Sequence, residues 1–180
     1  MALVRRHASD DLSSKEVSIL RELFEGAWAD DSEVFTDEDW EHALGGFHFI
    51  LEDYGEIVAH ASVVQRELHT AGHRLATGYV EAVATSPGRQ RQGHGSALMK
   101  AVDDYIDGTF QLGALDTGRP AFYRRLGWLL WKGPTLVRTD SGVIRTPEED
   151  GSVLVRLTPT TPELDLSAPI SCDWRPGDVW

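Results

Sequence analysis

The residues Gln90-Arg91-Gln92-Gly93-His94-Gly95 carry the clearest chemical signal in this chain. Their two glycines let a ligand approach the backbone closely. After them, Leu98, Val102 and Ile106, with Ala101 and Tyr105, fall at helical spacing. The first N–H groups of a helix have no internal partner and carry partial positive charge, so a glycine-bearing loop that opens a helix suits an anion, most often a phosphate. Local charge agrees. From Ala82 through Val102 there is no Asp or Glu, while Arg89, Arg91 and Lys100 are present, in a chain with 29 acidic and 17 basic residues. A bare Gly-x-Gly fits an ordinary helix start equally well. Two nucleotide-binding patterns are absent: there is no Gly-x-x-x-x-Gly-Lys-Ser/Thr, and Gly88 is misplaced for Gly-x-Gly-x-x-Gly.

The elements that must position this loop are legible. Tyr79, Val80, Val83 and Thr85 are strand formers, and Ser86-Pro87-Gly88 stops the strand, giving strand, loop, helix. Upstream, Ala2 to His7 reads as a strand. Ser13 and Glu16 form a capping-box pattern before a helix whose inner face is Val17, Leu20, Phe24 and Ala27 or Trp28. Asp30-Asp31-Ser32-Glu33 is an acidic loop, and Thr36 caps a short helix ended by Gly45-Gly46. Phe47 to Glu52 and Ile57 to Glu67 form a hairpin, and Thr70-Ala71-Gly72-His73 turns into the strand that carries Glu81. Downstream, the expectation is a strand at Phe110 to Leu115, a helix from Arg119 to Leu126, and strands at Trp128 to Trp131 and Val153 to Leu157. After Thr158, Pro159, Pro162, Pro169 and Pro176 predict an irregular tail.

Composition bounds the function. A chain of 180 residues with 41% hydrophobic and 26% charged residues fits one globular domain, residues 1–180, with its tail from about residue 158 docked. A net charge of −12 argues against nucleic acid and favours cationic partners. One cysteine, Cys172, rules out an intrachain disulfide and any cysteine-rich metal site. With no apolar leader and no membrane-length apolar stretch, the expectation is a cytoplasmic protein that does not engage a membrane. His42, His48 and His60 show no ligand spacing and read as structural, so no metal is expected.

Gln/Arg-x-x-Gly-x-Gly/Ala after a strand resembles the acetyl-CoA pyrophosphate loop of the GNAT superfamily of N-acetyltransferases, and the order β-α-α-β-β-β-α-β-α-β matches that fold. The fold class is therefore α/β (α+β), a mixed, mostly antiparallel sheet flanked by helices. The resemblance implies acetyl-CoA as co-substrate, held at Gln90, Arg91, Gln92, Gly93, His94, Gly95 and Ser96, with the backbone of Val83 and Thr85 on the pantetheine arm. Ala121-Phe122-Tyr123-Arg124-Arg125-Leu126-Gly127-Trp128 looks like the segment whose tyrosine is general acid to the departing thiolate. A phenol suits that task because it is a donor and neutral at pH 7; the bland alternative is a packed helix tyrosine. Glu81, just before the loop, can take the proton that an amine nucleophile must lose. Its bland alternative is a solvent-facing strand carboxylate.

A narrower resemblance runs nearly end to end. Asp39-Trp40-Glu41-His42, Gly45-Gly46, Ile57-Val58-Ala59-His60-Ala61, Gly78-Tyr79-Val80-Glu81, Gln111-Leu112-Gly113-Ala114-Leu115 and Cys172-Asp173-Trp174-Arg175-x-Gly177-Asp178-Val179-Trp180 together look like the aminoglycoside 2'-N-acetyltransferases. That family holds the drug's ammonium groups in an acidic cleft and often forms a homodimer. Carried over by position, the acceptor-binding candidates are Glu81, Asp39, Asp178 and the terminal carboxylate of Trp180, with Glu149, Asp150, Asp31 and Asp116 as further ones. The catalytic set is Glu81, Tyr123 and Trp180. The loop Asp30 to Phe35 is longer than the family's, and Asp116 and Thr117 stand where small hydroxyl residues are expected. The rival readings are a GNAT enzyme for a polyamine, a peptide N-terminus or a cell-wall amino sugar, and a non-catalytic acyl-CoA-binding module. The module would need neither Tyr123 nor an acidic cleft.

Overall fold

The computed structural model describes residues 2–29 and 34–180. They divide into two compact units, Met1–Val64 with Val80–Asp104, and Gln65–Tyr79 with Tyr105–Trp180. Two strands and one helix run through both: β3 (Glu56–Thr70), β4 (His73–Thr85) and α3 (His94–Thr109). Among the described residues no helix is long and apolar enough to cross a membrane.

The first unit also holds β1 (Leu3–Ala8), α1 (Ser14–Trp28), α2 (Asp37–Ala43) and β2 (Phe47–Asp53). Both helices begin as their sequences require. Ser13 accepts from the Glu16 N–H while Glu16 accepts from the Ser13 N–H, and Thr36 and Asp39 do the same at α2. Each such cap is worth about 1 kcal/mol. The strand order is β1-β2-β3, antiparallel, with Leu3 opposite Glu52 and Phe47 opposite Val63. The β2–β3 turn places Tyr54 and Gly55 at φ 52° and 82°, the left-handed pair that matches strand twist. Leu20, Leu23 and Phe24 of α1 pack with Trp40 and Ala43 of α2, Ile50 and Ala84. His48 and His60 are buried, as a structural role requires.

The second unit adds β5 (Leu112–Asp116), α4 (Pro120–Arg125), β6 (Leu129–Leu130), β7 (Thr135–Thr139), β8 (Gly142–Arg145), β9 (Val153–Leu157) and β10 (Ile170–Asp173). Its order is β6-β9-β5-β4-β3-β10-β7-β8. The β4–β5 and β7–β10 pairs are parallel; β5–β9, β6–β9, β7–β8 and β3–β10 are antiparallel. The expected mixed, mostly antiparallel sheet with helices is therefore present. Gly78 lets a helix approach: a Cβ there would lie 2.7 Å from Phe110 Cδ2 and 3.0 Å from Ile106 Cγ1.

Two expectations change, and one element is new. The strand at Trp128 to Trp131 shrinks to Leu129–Leu130, because both tryptophans are core residues and Trp131 Nε1 donates to the Ala168 carbonyl at 2.9 Å. The β7–β8 hairpin was not anticipated; every residue of β8 is exposed, so no burial alternation marks it. The chain after Thr158 is not irregular throughout. Ile170–Asp173 forms β10, lying between β3 and β7. Arg138 secures it, donating to the Ser171 carbonyl, the Glu67 carbonyl and the Asp173 carboxylate.

Candidate active site

In the first unit, β4 delivers the loop. Pro87–Arg89 forms a single 3-10 turn, Gln90 Nε2 donates back to the Thr85 carbonyl at 3.3 Å, and Gln92 Nε2 to the Gly88 carbonyl at 3.2 Å. Arg91 and Gly93 take φ values of 59° and 87°. The chain then enters α3 at His94, with no acid in its first turn. His94 is buried and its Nε2 makes no hydrogen bond among the described residues. An orphaned polar nitrogen in the first turn of a helix that holds no acid fits the diphosphate of acetyl-CoA. Arg89 is tied to Asp53 and Lys100 to Asp104, so neither is the anion's natural partner; Arg91 stays exposed on the loop.

Glu81 lies half-buried in β4, with its backbone carbonyl 3.4 Å from the Ser62 hydroxyl. Val83 and Thr85 follow it, also half-buried. Asp39 is on α2, and its carboxylate already accepts from the Thr36 N–H and hydroxyl at 2.7 and 2.8 Å. Its first task is to start a helix. Asp31 lies outside the described residues.

In the second unit, α4 carries Tyr123, buried between the rings of Phe122 and Trp128, at 4.9 and 6.2 Å between centroids. Burial pushes its phenol pKa upward, with Arg119 opposing. Such a phenol holds its proton throughout the neutral range.

The acids of this unit part company. Asp150 sits in a clamp: it accepts from the Thr135 N–H and hydroxyl, each at 2.9 Å, and from both Arg145 guanidinium nitrogens. Those bonds, the Arg145 pair first, hold its carboxyl far below the usual range. The structure thus gives Asp150 a loop-fastening job. Glu149, its neighbour, is the opposite case. Burial, then the charges of Asp116 and Asp178, push its carboxyl up from 4.5 to about 7. Asp116 ends β5 and Asp178 is exposed in the tail, so these three acids form one electrostatic group.

The tail is docked by one ring. Trp180 is 2% exposed, and its indole N–H donates to Thr146 Oγ1 at 3.1 Å. Trp174 is 59% exposed, so its ring does not anchor the tail. Two arginines take its place. Arg66 donates to the carbonyls of Asp173 and Val179 at 2.8 and 2.7 Å, while Arg175 donates to Asp178 O at 2.7 Å and Trp180 O at 3.1 Å. Both guanidiniums lie over the Tyr79 ring. These arginines escaped the sequence reading, because nothing at position 66 of a strand says that its side chain meets a segment 113 residues away. Among the described residues no group of three or more His, Cys, Asp or Glu side chains could hold a metal.

Comparison with known proteins follows the same lines. A family model described as an acetyltransferase (GNAT) domain matches residues 9–130. The chain is 46% identical to an aminoglycoside 2'-N-acetyltransferase of Mycolicibacterium fortuitum, over 97% of this chain and 89% of that protein. Among solved structures, a GNAT family acetyltransferase from Brucella melitensis in complex with acetyl-CoA aligns at TM-score 0.62 and 15% identity, covering 94% of each chain. A GCN5-related N-acetyltransferase from Kribbella flavida aligns at TM-score 0.58 and 21% identity over 74% of this chain; this chain spans only 34% of that larger one.

Proposed function

This chain belongs to the GNAT acetyltransferase family, and on that premise we propose that it transfers the acetyl group of acetyl-CoA to the 2'-amino group of aminoglycosides, directly and in a ternary complex. The observation that carries the acceptor is electrostatic. Burial first, and then the charges of Asp116 and Asp178, lift the Glu149 carboxyl to about 7, and a polycation relieves the repulsive part of that shift. The relative named an aminoglycoside 2'-N-acetyltransferase supports the same choice.

The residues divide the work by chemistry. The Gln90 to Ser96 segment offers backbone N–H groups and the His94 imidazole to the diphosphate, and the backbone at Val83 and Thr85 takes the pantetheine arm. Acetyl-CoA supplies the thioester carbonyl that the amine attacks. Glu81, directly or through one water, accepts the proton the amine gives up. Tyr123 donates its proton to the sulfur as the C–S bond breaks, which requires a phenol that is neutral at working pH; its burial supports that state. Asp178, Glu149, Asp116 and the Trp180 carboxylate face the acceptor's ammonium groups, with Asp39 in a lesser part. Residues 1–180 act in this reading as one catalytic domain and as a resistance determinant. A homodimer rests on the resemblance and a cytoplasmic location on the single cysteine, which suits a reducing compartment; sedimentation tests the dimer.

The deciding experiment is release of free CoA from acetyl-CoA on adding a panel of aminoglycosides, including one with hydroxyl in place of the 2' amine. Turnover with the amine and none with the hydroxyl compound is expected. Equal turnover with both, or none with either, overturns the 2' assignment.

A further inference from the structure

One buried chain of hydrogen bonds in the first unit is not used by this mechanism. His48 and His60 are fully buried and lie diagonally across the paired strands β2 and β3, where His48 stands opposite Ser62 and His60 opposite Ile50, with His48 Nδ1 2.8 Å from His60 Nε2. His60 Nδ1 lies 2.8 Å from the Ala82 carbonyl, and Ser9 Oγ lies 2.9 Å from His48 Nε2. The direction of every proton follows from one end. A carbonyl can only accept, so His60 Nδ1 carries its hydrogen and donates to Ala82. Burial pushes His60 down to about 3 and His48 to about 4, so both rings are neutral and each has a single N–H. His60 Nε2 therefore accepts, and His48 Nδ1–H donates to it. Of the two acceptors within reach of the Ser9 hydroxyl, His48 Nε2 at 2.9 Å is nearer than the Gly46 carbonyl at 3.3 Å and takes its proton, and Ser9 Oγ in turn accepts from the Gly45 N–H at 3.0 Å. Every member is satisfied, which is when a buried polar network rigidifies a fold.

The network ends at an unusual place. Ala82 has φ +48°, a left-handed conformation that alanine avoids. The left-handed residue lies within β4, between Glu81 and Val83. Two side chains of one face of β3, His60 and Ser62, bond its successive carbonyls, Ala82 O and Glu81 O. In an unbroken strand, neighbouring side chains point to opposite faces; a left-handed residue resets that alternation for everything after it.

We propose that the Ser9–His48–His60 relay is a positioning device for acetyl transfer: it holds the Ala82 carbonyl in its left-handed kink and so fixes the directions in which Glu81 and the Val83 backbone are presented. This rests on the assignment of Glu81 and Val83 given above. None of the three relay residues is itself catalytic.

The test separates reach from mere bulk. His60→Asn places an amide N–H where Nδ1 was, so it can still serve Ala82. His60→Gln places its amide at the Nε2 position and cannot, and His60→Leu serves neither. The backbone Cα and Cβ NMR shifts of Ala82, which report left-handed φ, should move in the Gln and Leu variants and stay in Asn. kcat/KM for the acceptor should fall roughly tenfold or more in Gln and Leu, as expected for a displaced catalytic group, and within about threefold in Asn. Adding Ala82→Gly to His60→Leu should recover part of that loss, since glycine adopts this φ without penalty. In wild type, ¹⁵N shifts should show the Nδ1–H tautomer on both rings. An Nε2–H tautomer on either ring, or an Ala82 signal unmoved in both Gln and Leu, overturns the proposal. If His60→Leu does not fold, the Asn and Gln pair carries the comparison. An Ala82 signal that moves as stated in a protein inactive on aminoglycosides sinks the substrate reading and leaves the relay standing.

Discussion

The indole N–H of Trp180, the last residue, donates to Thr146 Oγ1 at 3.1 Å, and Thr146 Oγ1 donates onward to Thr135 Oγ1 at 3.0 Å. The end of the tail is therefore part of the buried hydrogen bonding of β7 and of the turn that precedes Glu149. Deleting Val179 and Trp180 should raise aminoglycoside KM at least about tenfold, the equivalent of about 1.4 kcal/mol, and leave acetyl-CoA affinity nearly unchanged. It should also lower stability, since losing a buried tryptophan costs about 3–5 kcal/mol. Trp180→Phe separates the effects: it keeps an aromatic ring and removes only the indole hydrogen bond to Thr146, which still donates to Thr135, for about 1 kcal/mol. Steady-state kinetics, acetyl-CoA titration and thermal melts read all three. A truncated enzyme that keeps its KM would leave the tail as packing only.

Glu149 sets a pH dependence of known sign. Its carboxyl is raised in the folded state from 4.5 to about 7, by burial first and by Asp116 and Asp178 next. A raised acid favours the protonated form when folded, so its contribution is neutral below about pH 4.5, grows unfavourable between about 4.5 and 7, and levels off above 7. Glu149→Gln should therefore raise Tm at pH 8 and leave it unchanged at pH 4. Aminoglycoside binding should run the other way. Wild type should gain affinity over Glu149→Gln as pH rises through 7 and the carboxylate appears. Parallel binding curves for the two proteins would remove Glu149 from the acceptor site.

Tyr123→Phe and Glu81→Gln should divide the chemistry. Phenylalanine keeps the buried ring and removes the acid, so kcat should fall by roughly 10²–10⁴ with little change in acceptor KM. Glu81→Gln loses a proton acceptor and a cation contact, so both kcat and acceptor KM should suffer. Full kcat in Tyr123→Phe at every pH would mean that the acid is misassigned or that chemistry does not limit turnover.

Gly95→Asp puts a carboxylate into the first turn of α3, where no acid now stands. Acetyl-CoA affinity should fall by about tenfold or more, or about 1.4 kcal/mol. Calorimetric titration of the folded variant measures it; an unchanged Kd would end the diphosphate reading of the loop.

By itself the sequence determined what is local. Ser13 with Glu16 and Thr36 with Asp39 start their helices because a cap needs only residues three apart. The loop from Gln90 to Gly95, the strand before it and Tyr123 on a short helix were legible for the same reason, and a close family resemblance assigned their chemistry. What tertiary structure decided concerns partners far apart in sequence. Ile170–Asp173 is a strand only because β3 and β7 flank it, so prolines nearby misled. Glu149 and Asp150 are adjacent acids with opposite fates: one meets Arg145 and Thr135, the other meets burial and two more carboxylates. Trp174 and Trp180 are likewise equal in type and unequal in burial. His48 and His60 could be read as core residues from their apolar strands, but the proton path to Ala82 needed the distances. A side chain's pKa and hydrogen-bond direction depend on what surrounds it in space, and residue type and spacing do not carry that information.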